Sequence, residues 1–491
     1  MRSWYLFHRF VKHVRQHVGG IADTIIQSLS DLLPIKAELS EESSEDNNED
    51  ISSSENNQSA NAQFDSQLYL YETVGCISSA RSIPLEKQVL LITSVINPLF
   101  SDLEAHLVPA KHDDKQSTLQ VHHLIMALGT LARGFADGTP ANNLVTASPP
   151  AEATSEEFAR AAEAVLMALE GLQSSFEVRE AARFAFNRLI AVVGNRILPQ
   201  LPRWIDGLLS ESSTKDEMAM FMKLLDQVVY GFKSEIYGIL NSLLTPFLQR
   251  VFAGIAEPVI GTDDEIQLTE LKREYLGFLL VLLNNGLESV LISEGKLIIR
   301  EKIIQFTNRI ANQPIFTTVI STIEHFVKDI TDFQTAKLAF SVLTRMASTW
   351  GGLGSEASEN EIPNTVPQQL KLPGFDDFMM TTFSPLCWAV PSNPNFDPKD
   401  AQGKQVLGEA AALQKAIYIK VGQSYLDYLR DVELSAMGMD GTNINEYLGM
   451  LCNADTKAFQ QFFRVNIHFE CLCSLNTDSK PGPCTKKHQM M

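Results

Sequence analysis

The sequence predicts an all-α protein, a HEAT-repeat α-solenoid made of a superhelical stack of antiparallel helix pairs. Three observations predict it. Apolar residues recur at three- and four-residue spacing over most of the chain, as one buried helix face requires. Runs that alternate apolar and polar residues between turns, the mark of strands, are scarce. The helical stretches come in pairs with short connections, and Pro199 and Pro246 stand 47 residues apart, inside the range of two-helix repeats.

Residues 1–37 read as a first helix pair. Trp4, Leu6, Phe7, Phe10, Val11, Val14 and Val18 share one side of a helical wheel, and Arg2, Arg9, Lys12 and Arg15 share the other, with no acid among them. Transit peptides have that pattern, but the serine-rich, cleavable character is missing. A surface helix with its apolar side on a core is therefore preferred. Residues 38–63 read as an acidic disordered loop. Glu38, Glu41, Glu42, Glu45, Asp46, Glu49, Asp50 and Glu55 stand there without a base, spaced by Ser and Asn, and cannot bury apolar area.

Residues 64–464 read as the solenoid body. One face over 152–172 carries Phe158, Ala161, Val165, Leu166 and Leu169. Over 218–232 it carries Met218, Phe221, Leu225, Val228, Val229 and Phe232, and over 315–330 Val319, Ile323, Phe326, Val327 and Ile330. Pro98, Pro199 and Pro246 are expected where second members of pairs begin or bend, since a first-turn N–H has no intrahelical partner to lose. Loops are expected at 136–153, 351–373 and 391–398, where Gly, Pro, Ser and Asn gather. Residues 465–491 read as a divergent, disordered tail.

Composition then narrows the function. With 45% hydrophobic residues the 491-residue chain can bury a large core. Its net charge of −19 excludes an all-over basic nucleic-acid binder but not a local basic groove. Six cysteines, three of them in the last 21 residues, fit a reducing compartment better than a disulfide framework. The apolar run 275–283, stopped by Asn284-Asn285-Gly286, is about half the length a bilayer requires, so no membrane insertion is expected.

No phosphate loop, dinucleotide turn, nucleophile elbow or H-E-x-x-H pattern occurs, so neither an enzyme nor a cofactor is expected. His122 and His123 are adjacent on a helix and point about 100° apart, unlike a chelating i, i+4 pair. Cys471, Cys473, Cys484 and His488 form a weak zinc-type alternative, since C-x-C is not the usual knuckle and the segment between looks structureless. The candidates for tracking a phosphate backbone are basic: Arg9, Lys12, Arg15, Arg179, Arg183, Lys296, Arg300, Lys302 and Arg309. Composition alone favours the plainer reading, in which Arg179, Arg183, Lys296 and Arg300 pair with Glu177, Glu180, Glu294 and Glu301 on solvated faces.

Several short stretches then resemble, in order, one known family. They include Leu6-Phe7-His8-Arg9-Phe10-Val11-Lys12, Leu68-Tyr69-Leu70-Tyr71-Glu72-Thr73-Val74-Gly75 and Leu343-Thr344-Arg345-Met346-Ala347-Ser348-Thr349-Trp350. Near the end Asp455-Thr456-Lys457-Ala458-Phe459-Gln460-Gln461-Phe462-Phe463 resembles a last helix. Together, over about residues 5–464, they resemble exportin-T, the tRNA export receptors of the importin-β, or karyopherin, type. The resemblance implies HEAT repeats, with tRNA, GTP-bound Ran GTPase and nucleoporins as partners, and shuttling between nucleus and cytoplasm through the nuclear pore. It also implies that only the C-terminal part of an exportin is present, so that Met1 reads as an internal start. The competing expectation is a protein-binding helical scaffold or transport adaptor without RNA binding.

Overall fold

The computed structural model describes residues 2–39, 52–136, 151–209, 213–292, 313–352, 371–397 and 399–474. Among these the regular structure is helical, and the one β-type pairing is an isolated bridge between Gly351 and Lys371. The chain divides into two compact units, Met1–Leu243 and Leu244–Met491.

The first unit holds α1 (Arg2–Val14), α2 (Ala22–Leu29), α3 (Ser52–Ser78), α4 (Leu85–Lys111), α5 (Lys115–Ala136), α6 (Glu152–Gly171), α7 (Phe176–Val193), α8 (Leu201–Leu208) and α9 (Lys215–Phe232). Odd-numbered helices pack side by side, α1 on α3, α3 on α5 and α5 on α7. A second layer runs α4 on α6 and α6 on α8, and the α4–α5 and α6–α7 contacts join the layers. This is the helical-repeat solenoid arrangement, in which each pair buries its apolar faces on its neighbours. The faces of α6 and α9 read from the sequence are buried, including Phe158, Val165, Leu169, Phe221 and Val228.

The α3–α5 contact is unusually close. A methyl group at Gly75 would collide with the Leu131 carbonyl oxygen, and one at Gly134 with the Glu72 carbonyl oxygen. Only glycine at both positions lets the two backbones touch.

Several boundaries differ from the expectation. Helix α3 begins at Ser52, inside the stretch expected to be loop to residue 63, while residues 40–51 lie outside those described. Adding a polar residue to an existing helix end fixes one residue for one hydrogen bond, so a helix anchored by its buried half extends outward cheaply. Of the two expected placements, a start or a bend, Pro98 and Pro246 do not take the first: Pro98 lies inside α4 and Pro246 inside Tyr237–Ala256. Each removes the helical donor of the carbonyl four residues earlier, at Ser94 and Ser242. Both serines are solvent-exposed, so water can take those carbonyls. Lys215–Ala256 is the one stretch among the described residues long and apolar enough to cross a bilayer by composition, an 18-residue window within it having mean hydropathy 1.3. The sequence reading placed the most apolar run elsewhere, at 275–283.

The second unit contains α10 (Thr262–Asn284), α11 (Gln313–Lys328), α12 (Phe333–Trp350), α13 (Ala401–Val421), α14 (Gly441–Asn453) and α15 (Thr456–Ser474). One layer runs α10 on α12, α12 on α13 and α13 on α15. Between α12 and α13 the helical turns Phe375–Phe378 and Ser384–Ala389 flank a π-helical turn, Met379–Phe383. The buried Glu433 carboxylate accepts hydrogen bonds from Ser384 Oγ and Trp388 Nε1, each at 2.8 Å. Burial nevertheless outweighs those donors and raises its pKa.

Helix α15 runs to Ser474, past residue 464 where a tail was expected. Cys471 and Cys473 thus fall within a helix, while Cys484 and His488 lie outside the described residues. Among the described residues no group of three His, Cys, Asp or Glu is placed to hold a metal.

The two histidines of α5 are closer than their 100° separation suggested. Their Nδ1 atoms are 3.0 Å apart, and the His123 ring stacks on Phe64 with centroids 3.6 Å apart. Burial, then the charge of His122, pushes the His123 pKa down to about 4. Burial lowers His122 too, against the pull of Glu180, Glu177 and Asp65. Because the folded values lie below the ordinary 6.5, unfolding takes up protons and acid favours it. Stability is expected to be full above pH 6.5 and to fall as pH drops from there to about 4. Urea unfolding of wild type and His123→Leu across that range checks this, with the dependence weakened in the variant.

Candidate nucleic-acid interface

The predicted basic residues separate into three groups. Lys296, Arg300, Lys302 and Arg309 lie outside the described residues. Arg179 and Arg183 share a face of α7, as expected, but that face is inward: they are 2% and 7% exposed. Arg179 donates from Nε to Glu217 Oε1 at 2.9 Å and from Nη2 to Oε2 at 3.0 Å. Arg183 donates from Nη1 to Oε1 at 2.8 Å. Burial alone would raise the Glu217 pKa, but the bonds from Arg179, Arg183 and the Thr214 backbone N–H outweigh it and hold it below the ordinary value. Glu217 also closes the capping box of α9, its backbone N–H donating to Thr214 Oγ1 at 3.2 Å. These arginines therefore lock α7 to α9 and offer nothing to a phosphate. The partner expected from sequence was Glu177 or Glu180; the real one stands 38 residues from Arg179.

Arg9 and Lys12 stand in a different environment. Both are exposed on α1, and they line a cavity of about 550 Å³. Tyr5, His8, Arg9 and Lys12 recur at three- and four-residue spacing, so one face of α1 carries all four. Helix α3 supplies Tyr69 and Glu72 from the same turn, and α5 supplies Arg133. Arg15 follows α1 in the short 3₁₀ turn Arg15–His17, outside the lining.

The Tyr5 and Tyr69 rings meet edge to face, with centroids 5.3 Å apart at 68°. Arg9 donates from Nη1 to Tyr5 Oη at 3.2 Å and lies over the ring at 5.8 Å. Glu72 is 7% exposed. Its Oε1 stands 3.3 Å from Arg133 Nε and 3.8 Å from His8 Nε2. Arg133 and His8 thus stand against this carboxylate, with Arg9 and Lys12 elsewhere on the same lining. Behind them on α7, the Arg188 guanidinium rests on Phe184, 3.3 Å from its centroid. Burial, then the charge of Arg133, pushes Arg188 down to about 10, against the pull of Glu72. Positive charge is crowded here, in a chain whose net charge is −19.

The arrangement can hold an anion beside an aromatic surface. Of the residues on this lining the sequence had singled out Arg9 and Lys12 but not Tyr5, Tyr69, Glu72 or Arg133. The i, i+4 pair Tyr5–Arg9 was a readable signal. The others are joined only by helix packing.

Comparison with known proteins agrees with the fold. The family profile described as Exportin-T matches residues 1–470. The chain is 56% identical to the Exportin-T of Aspergillus oryzae over 466 residues, covering 94% of this chain and 43% of the relative. It is 58% identical to the Exportin-T of Aspergillus fumigatus over 466 residues, with the same coverage. Over 479 residues it is 57% identical to the Exportin-T of Neosartorya fischeri, covering 97% of this chain and 44% of the relative. The chain therefore spans under half the length of these relatives.

Removing the Glu217 carboxylate strands two buried guanidinium groups. Glu217→Ala is expected to cost about 3–5 kcal/mol, seen as a lower urea midpoint, whereas Arg9→Ala leaves the unfolding free energy within about 0.5 kcal/mol of wild type.

Proposed function

This chain belongs to the Exportin-T family, and from that we propose that it is part of a receptor that carries tRNA out of the nucleus. GTP-bound Ran GTPase joins the loaded complex, nucleoporins pass it through the pore, and the chain shuttles between nucleus and cytoplasm. Its work is binding and release, with no chemistry on the cargo.

The single observation that carries this reading is the basic pocket formed across α1, α3 and α5. Arg9 and Lys12 come from α1 and Arg133 from α5, with α3 packed between these helices in the same layer. A solenoid binds extended partners in this way, one or two contacts from each repeat. Each cation that meets a phosphate releases a condensed counterion, so affinity comes from charge and shape without reading bases in a groove. Net negative charge elsewhere discourages non-specific RNA binding and leaves the pocket as the local attractor.

A second reading, a protein-binding adaptor, draws on another cavity of the first unit. A groove of about 740 Å³ is lined by Ile26, Leu33, Leu90, Val95 and Leu99. Leu90 is 69% exposed there. Such a groove suits an apolar partner segment. The two readings can hold together.

Filter binding of tRNA over a salt series tests the first reading. The wild-type chain is expected to bind saturably, with log K falling linearly against log salt. In the Arg9→Ala, Lys12→Ala double variant the slope is expected to shrink by about 1.5–2 and the affinity to drop. An unchanged slope and affinity would remove the pocket from the RNA contact.

A further inference from the structure

The geometry points to an unpaired nucleotide as the ligand of the α1–α3–α5 pocket, with its base against Tyr5 and Tyr69 and its phosphate against Arg9 and Lys12. This rests on the reading of the pocket as an RNA contact and goes beyond it, because a phosphate-tracking surface requires neither a cavity, nor aromatic rings, nor a buried carboxylate. The pocket has all three.

Shape comes first. The pocket is an open cleft of about 550 Å³, within the size range of small-ligand sites, about 300–1,000 Å³. A double helix presents a convex backbone whose bases are already stacked, and it would touch only the rim. An unpaired nucleotide can enter.

The rings come second. Tyr5 is 39% exposed, on the lining of the cavity, with Tyr69 edge-on beneath it. An exposed tyrosine next to cations is the usual platform for a splayed-out base, since every base has a π-face. The Arg9 guanidinium already lies near the Tyr5 ring, so a stacked base would also meet a cation.

The third observation fixes the orientation. Arg9 and Lys12 stand on the exposed side of α1, while Glu72 is nearly buried where α1, α3 and α5 meet. A carboxylate there repels phosphate and accepts N–H groups. Phosphate is therefore directed to the rim and the base edge inward, where the N–H donors of a base edge, such as the exocyclic amino group of cytosine, meet the carboxylate.

The test uses fluorescence anisotropy on the full chain at one fixed salt concentration. The probes are an unpaired oligocytidine and a fully paired RNA hairpin of equal phosphate count. Oligocytidine is expected to bind about tenfold tighter than the hairpin. Tyr5→Leu should lose about tenfold on oligocytidine and little on the hairpin, Tyr5→Phe should keep wild-type affinity, and Arg9→Ala should weaken both. Cytidine monophosphate should compete at concentrations where inorganic phosphate does not, a readout that needs no variant. Equal binding of the two probes, an unchanged Tyr5→Leu, or competition by inorganic phosphate as strong as by the nucleotide would overturn the base site while leaving a phosphate contact. Failure of the wild-type chain to bind either probe would overturn the RNA reading itself.

Discussion

Two glycines allow α3 and α5 to touch backbone to backbone, and the pocket follows from that contact. With any side chain at Gly75 or Gly134 the helices would separate, because the obstructing atoms are carbonyl oxygens, which cannot rotate away as a flexible side chain can. At this crossing Glu72 stands one turn before Gly75, and Arg133 stands next to Gly134. Their side chains meet at 3.3 Å as a consequence. Helix α1 then packs on α3 and brings His8 to the same carboxylate, with Tyr5, Arg9 and Lys12 along the same face. One close approach thus gathers residues that are more than a hundred positions apart in the sequence.

The arginines show how burial, not charge, decides between structure and function. Arg179 and Arg133 are equally cationic. The Arg179 side chain is 3% exposed and bonded to Glu217 and to the Gln173 carbonyl oxygen, whereas the Arg133 side chain is 58% exposed beside Glu72. A buried cation is tolerated only when its partner satisfies it, and it then has nothing left for a ligand. The buried acids differ in a parallel way. Two arginines hold Glu217 below the ordinary carboxylate value, while Glu433, with only a hydroxyl and an indole N–H as donors, is pushed up.

Much of the fold was legible in the sequence because helix burial is periodic. Phe158, Val165 and Leu169 must share a face once residues 152–171 are helical, whatever lies opposite. The sites were less legible, because periodicity shows which residues share a face but not whether that face is covered. Arg179 and Arg183 looked like a surface pair for this reason: their partner Glu217 is distant in sequence, and the covering helix cannot be inferred from local spacing. Ser52 and Ser474 extended their helices past the expected limits because polar composition marks solubility and not the end of a helix. Arg9 and Lys12 could be found from an acid-free amphipathic stretch, but Glu72 and Arg133 acquire meaning only from the crossing of α3 and α5. Many short segments in family order carried the family itself, and they were readable without any structure.

The account depends most on RNA lying in the α1–α3–α5 pocket. Ultraviolet crosslinking of bound tRNA to the wild-type chain, followed by peptide mass spectrometry, locates that contact directly. The account predicts nucleotide adducts on Tyr5 or Tyr69, and none on the α7 peptide carrying Arg179 and Arg183. Adducts confined to other segments, with both tyrosine peptides unmodified, would contradict it.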